Sequence, residues 1–287
     1  MLQFNLWKKY NSFMSESGMG EDGTIRAPEL PEVKKIENDE IAERLRQKRI
    51  FVDIIPDRNN PRLNGMRQQI EDVAYPTLAT VADELELVDT GYEFYDHPGG
   101  VIPEVGIGGA AGWGRHFSPI QLYINPASPN LDVGGAFADN LRRILRHESL
   151  HTREQMALGR EFETIDERMI TEGKAQWYET EGTQGEPPLW ATALDHLNRG
   201  EQDALLAKIR NLSDTSMVDW EAYMFGATKR DIPRYTAYTY GLSDRDIPRW
   251  SAYALGYRLV GEYLDAHPEQ KASTIYAVPA EEFIKSN

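Results

Sequence analysis

The stretch "LRRILRHESLHTREQ", residues 141–155, holds the side chains best suited to chemistry: His147, Glu148 and His151, in a chain of 287 residues with only six histidines. In a helix, at about 100° per residue, the two histidines lie about 40° apart on one side, one turn above the other. Two ring nitrogens at that spacing can reach a single ion. Zinc takes neutral imidazole and carboxylate ligands at about 2 Å, and a catalytic site keeps a fourth position for water, so three protein ligands are needed. Glu148 falls on the wheel between the histidines and an apolar stripe of Phe137, Leu141, Ile144 and Leu145. A carboxylate at the border of a core is costly without a partner. Next to a metal site it has a use, taking the proton of a water that attacks a carbonyl and passing it to the leaving amine. The plainer alternative makes the three residues part of a charged helix surface, paired with Arg143, Arg146 and Arg153.

A third ligand decides between these readings. The extended pattern H-E-x-x-H-x-x-G-x-x-H is absent, because "HTREQMALGR" contains no histidine after His151. The next helical pattern, "TIDERMITEGKAQWYETE", places Ile165, Met169, Glu172, Ala175 and Gln176 on one face, so Glu172 occupies a position otherwise given to core residues. Gly173 beside it is expected to let this helix pack closely against the first. An i,i+4 ion pair from Arg168 to Glu172 is the structural alternative. Glu163, Glu167 and Glu179 are other possible ligands, although Glu163 and Glu167 fall on a charged outer face.

Composition narrows the chemistry further. With 31 Lys and Arg against 46 Asp and Glu, the net charge is −15 and the surface repels phosphate backbones and anionic lipids, so neither nucleic acid nor membrane is expected as a partner. No cysteine is present, which removes disulfides, thiolate catalysis and iron–sulfur clusters and leaves any metal to His and carboxylate. The first twenty residues lack the apolar core of a signal peptide, and no stretch approaches a membrane span, so a soluble cytoplasmic protein is expected. The oligomeric state is open.

The elements that must position these residues read as an α+β chain: a small mixed sheet and an active-site helix, followed by a mostly helical C-terminal lobe. Residues 1–30 read as a flexible leader, 31–159 as an N-terminal lobe carrying the two-histidine helix, and 160–287 as a C-terminal lobe carrying the third ligand. A helix is expected from Glu32 to about Lys48, then a strand "FVDII", then a helical pattern from Asn64 to Leu87 that Pro76 should kink or split. Seven glycines between Gly99 and Gly114 suggest a rim beside a cleft, and "GIGGAAG" lacks the strand and uninterrupted helix of a dinucleotide site. A short strand follows at Ile120–Ile124. The two-histidine helix should be capped by Asn130 or Asp132 and end near Gly159, with the next running from Glu163 to Glu181. "RDIPRYTAYTYG" and "RDIPRWSAYALG", fifteen residues apart, form a local duplication.

"RHESLH" followed by "ITEGKAQWYE" resembles the gluzincin metallopeptidases, and more narrowly the bacterial YjaZ-type family of predicted zinc-dependent proteases. "IQLYINPASPN", "EGKA", "YMFG" and "IPRWSAYALGYRLVGEYL" extend the resemblance over roughly residues 100 to 265. It implies a zincin-like fold, one zinc ion held by His147, His151 and Glu172, Glu148 as general base, and a peptide or protein substrate. It also implies a later Tyr or His that donates to the oxyanion, for which Tyr253 stands first, then Tyr257 and His196. The duplication leaves open whether Tyr238 or Tyr253 faces the metal. By the same resemblance, strand Ile120–Ile124 borders the cleft and pairs with an extended peptide. Two other functions share these residues: a zinc hydrolase of small amides or amino-acid conjugates, and a non-catalytic binding or regulatory protein. His97, His116 and His267 read as ordinary polar or packed residues.

Overall fold

The structure is a computed structural model that describes residues 33–55, 62–96, 110–113, 119–125, 136–160, 162–181, 186–210, 247–248 and 250–285. The leader, the proposed caps Asn130 and Asp132, His97, His116, Tyr238, "YMFG" and the first copy of the duplication lie outside the described residues. Helix α1 (Val33–Gln47) leads into strand β1 (Phe51–Ile55), followed by the short α2 (Arg62–Gly65) and by α3 (Arg67–Glu84). Strands β2 (Gly91–Asp96), β3 (Ala110–Trp113) and β4 (Ile120–Ile124) come next. The rest is helical: α4 (Ala136–Leu158), α5 (Ile165–Glu181), α6 (Arg199–Arg210), α7 (Ser251–Ala266), a 3-10 turn at Ile275–Ala277, and α8 (Ala280–Ile284). None of the described helices is long and apolar enough to cross a membrane.

Pro76 lies inside one continuous helix, so the split that was one of the two expected outcomes does not occur there; the break comes earlier, at Met66. Pro76 is exposed, so the carbonyl of Asp72 that loses its partner does so on the solvent side. Meanwhile Ile70, Val73, Ala74, Leu78, Val81 and Ala82 bury the opposite face and hold the helix together.

The sheet is mixed, in the order β1-β2-β4-β3, with β1, β2 and β4 parallel and β3 antiparallel to β4. Alternation sends Tyr92, Phe94, Ile120, Leu122 and Ile124 inward, where they meet Phe137, Leu141 and Leu145 of α4 and the buried face of α3. This arrangement corrects the expected role of β4. Both of its hydrogen-bonding edges are occupied, by β2 and β3, so it has no edge to offer a peptide; among the described strands the open edge beyond it belongs to β3.

A second hydrophobic cluster joins Met169 and Ile170 of α5 to Leu206, Leu255, Leu259, Ile275 and Phe283. Helix α5 serves both clusters, because Ala175 and Tyr178 belong to the first. Gly173 permits a close helix crossing, but with α7 rather than with α4 as the sequence suggested. A Cβ on Gly173 would lie 2.3 Å from the backbone of Gly256, and one on Gly256 would lie 2.0 Å from the carbonyl oxygen of Met169. Neither position accepts any side chain without moving a helix.

Candidate metal centre

Helix α4 ends where Gly159 adopts φ 67°, a left-handed conformation that favours glycine, and its amide donates to the Gln155 carbonyl at 2.8 Å. Helix α5 opens on a capping box: the Thr164 hydroxyl accepts from the Glu167 amide at 3.1 Å, and Glu167 accepts from the Thr164 amide at 3.2 Å. Glu167 also binds Arg160, so this carboxylate is spent on the helix start and stands away from the histidines.

The two helices bring His147, His151 and Glu172 together. His147 Nε2 lies 3.0 Å from His151 Nε2 and 3.1 Å from Glu172 Oε2, and the third side, His151 Nε2 to Glu172 Oε2, is 3.5 Å. Tetrahedral zinc with bonds of 2.0–2.1 Å separates its ligand atoms by about 3.3 Å, so the triangle has the right size and the right donors for such an ion. Among the described residues this is the one group of His, Asp and Glu that could hold a metal. Two of the three arginines of the alternative reading turn elsewhere: Arg146 pairs with Glu84 at 3.0 Å and donates to the Tyr178 carbonyl at 2.9 Å, and Arg153 donates to the Tyr276 hydroxyl at 2.8 Å; Arg168, the alternative partner of Glu172, donates to the Phe162 carbonyl at 3.0 Å.

Carboxylates also stand behind both imidazoles. His147 Nδ1 donates to Glu179 Oε2 at 3.0 Å, so Nε2 is the ring nitrogen turned towards Glu172 and His151. Glu179, an alternative third ligand from sequence, therefore meets the ring nitrogen opposite the triangle. His151 Nδ1 faces Glu154 Oε2 at 3.8 Å. Glu154 was not singled out in the sequence, where it is one charge among several in "HTREQ"; its burial depends on where α5 lies.

Burial alone would lower both imidazole pKa values, but the neighbouring carboxylates outweigh it. Glu172 and Glu179 hold His147 well above the ordinary range, and His151 is pushed up to about 9, chiefly by Glu172 with help from Glu154. Burial would raise Glu172, yet the two imidazoles hold it well below the usual carboxylate range. The three groups thus form a site in which added positive charge, whether protons or a cation, is favoured.

Glu148 is nearly buried, at 9% exposure, one residue after His147 on α4. Tyr253 is half-buried on the first turn of α7, edge-on to Trp250 with ring centroids 5.5 Å apart. Its backbone is tied to the Glu172 turn: Gln176 Nε2 donates to the Tyr253 carbonyl at 3.2 Å and to the Glu172 carbonyl at 3.1 Å. Tyr257 instead stacks on Trp177, with centroids 4.8 Å apart, and burial raises its phenol. His196 is exposed. His267 packs on Tyr263, as expected of an ordinary residue, with Nδ1 donating to the Tyr263 carbonyl at 2.8 Å.

A family model described as "Predicted Zn-dependent protease (DUF2268)" matches residues 120–285, from β4 to the end of α8. No curated protein and no solved structure matches the chain. The matched span is more than half of the 287 residues and agrees with the resemblance carried by the histidine and glutamate motifs; the chain belongs to this family.

Proposed function

We propose that this member of the predicted Zn-dependent protease family is a zinc metallopeptidase of the gluzincin type with a zincin-like fold. His147, His151 and Glu172 hold one zinc ion, and Glu148 is the general base. The observation that carries this reading is the triangle of two Nε2 atoms and one carboxylate oxygen, with sides of 3.0, 3.1 and 3.5 Å, in a chain of this family. When bound, zinc supplies Lewis acidity, polarising a carbonyl and making water acidic near neutral pH. Glu148 takes a proton from the attacking water and delivers it to the leaving amine, and its enclosed position keeps that proton from bulk solvent. Tyr253, whose backbone shares Gln176 with the Glu172 turn, donates its hydroxyl proton to the developing oxyanion. The edge of β3 that pairs with no other described strand, on an element that packs against α4, accepts an extended peptide as a further strand. We also read the chain as two lobes that meet between residues 159 and 160, with the third ligand on the C-terminal side.

The deciding experiment measures metal content and hydrolysis of a peptide library by the wild type and Glu148→Gln. Expected are one zinc per chain in both proteins, cleavage at internal bonds by the wild type, and a fall of about 10²–10⁴-fold in the variant. Cleavage of small amides only would assign the centre to a different substrate class. Zinc bound by both proteins with no hydrolysis by either would overturn the enzymatic reading.

A further inference from the structure

Behind His151 lies an ion pair that the proposed chemistry does not use. Glu154 on α4 and Lys174 on α5 are among the most enclosed charged side chains in the described protein, at 2% and 4% side-chain exposure. All three ammonium protons of Lys174 have acceptors: Glu154 Oε1 at 2.8 Å, the Val278 carbonyl at 2.8 Å and the Tyr276 carbonyl at 3.4 Å. The other Glu154 oxygen accepts from the Thr171 hydroxyl and faces His151 Nδ1 at 3.8 Å. That ring nitrogen is buried and has no hydrogen-bond partner among the described residues. Thr171 and Lys174 flank Glu172 on α5, so a single carboxylate from α4 is gripped on both sides of the third ligand.

A buried ion pair of this kind is poor at stabilising a fold, since apolar residues of similar volume commonly serve as well. Its placement beside His151 gives it a second use. We infer that Glu154, held by Lys174 and Thr171, is a positioning residue that fixes the His151 ring for metal binding, with the C-terminal segment at Tyr276–Val278 as part of the mount. An imidazole that binds a metal through Nε2 carries its proton on Nδ1, and that proton needs an acceptor to hold the ring's rotation. Glu154 is the carboxylate in front of it, and a shift of roughly 1 Å closes the gap to a hydrogen bond. His147 already has this arrangement with Glu179, so the two ligand histidines are backed by different devices: a carboxylate on α5 for one, and for the other a carboxylate on α4 anchored from α5 and the C-terminal segment.

The inference rests on the metal-binding part of the proposed function, and two matched double variants test it. Glu154→Leu with Lys174→Met removes the pair and the acceptor; Glu154→Gln with Lys174→Met removes the same charges but keeps an acceptor oxygen towards His151. Zinc affinity is measured by competition with a chromophoric chelator, and melting of each metal-free protein is followed in parallel. Zinc affinity is expected to fall about 10–100-fold in the Leu/Met variant and to return to within about threefold of the wild type in the Gln/Met variant, with both metal-free proteins melting near the wild type. Equal affinity in all three proteins would overturn the assignment. So would a Leu/Met variant that melts far below the wild type, because the pair would then serve the fold. A wild type that binds zinc without hydrolysing peptides would defeat the enzymatic reading alone, since affinity is read independently of turnover.

Discussion

Helix α4 has two enclosed sides that follow different rules. Towards the sheet, Phe137, Leu141 and Leu145 are fully buried among apolar neighbours and ask nothing of charge or hydrogen bonding. Towards α5, His147, His151 and Glu154 are almost as enclosed, at 12%, 9% and 2% side-chain exposure, yet each must be matched by a particular partner. The apolar side stabilises through buried area and close packing. The polar side depends on matched charges and hydrogen bonds, and its geometry suits a cation. One helix thus carries apolar packing on one side and the candidate metal site on the other, with Glu148 enclosed on the border.

That division can be broken most forcefully on the apolar side. Phe137→Ala is expected to lower unfolding stability by about 3–5 kcal/mol in denaturant titration, while the protein that remains folded keeps the zinc affinity of the wild type. A large loss of affinity in the folded fraction would show that the sides are not separable. On the polar side, Glu179→Leu removes the acceptor of His147 Nδ1 and should weaken zinc binding about 10–100-fold in chelator competition, equivalent to about 1.4–2.7 kcal/mol. Unchanged affinity would mean that α4 packing alone orients the ring.

The smallest expected effect is a pH dependence. Both folded imidazoles lie above their unfolded value near 6.5, so their contribution to the metal-free fold is complete below that pH and is lost as pH rises through about 9 for His151. Zinc must displace the same protons, so its affinity should keep rising across that window. Melting curves with and without chelator between pH 6 and 9.5 should therefore diverge, the metal-free protein losing a few degrees as the zinc-loaded protein holds. Parallel curves would mean that the histidines are not coupled to Glu172 as the distances indicate. Glu172, lowered by the imidazoles, has the opposite sign: its contribution is present above the unfolded carboxylate value and is lost as pH falls through its depressed one.

Much of this was legible from periodicity. The helical patterns around Val33–Gln47, Ala136–Leu158 and Ile165–Glu181 and the strands Phe51–Ile55 and Ile120–Ile124 were readable because each buries one face. Strands β2 and β3 were not, since "GYEFYD" runs into a glycine-rich stretch and "AAGW" sits inside one, where local preference favours a loop. Pro76 does not split its helix because its cost depends on which way the freed carbonyl points, and that follows from packing. Gly173 was correctly read as a close-approach residue, but its partner helix is distant in sequence.

The amino-acid order by itself singled out two histidines one turn apart with a glutamate between them, and put Glu172 first among the possible third ligands, because a 3.6-residue period fixes which residues share a helix side. Only the tertiary structure decided what stands behind those groups. Glu179 and Glu154 meet opposite imidazoles, Lys174 reaches carbonyls more than a hundred residues away, and β4 is closed on both edges. Local sequence specifies which side of a helix a residue occupies, whereas the partners of a buried charge are set by long-range packing, which no short window of sequence contains.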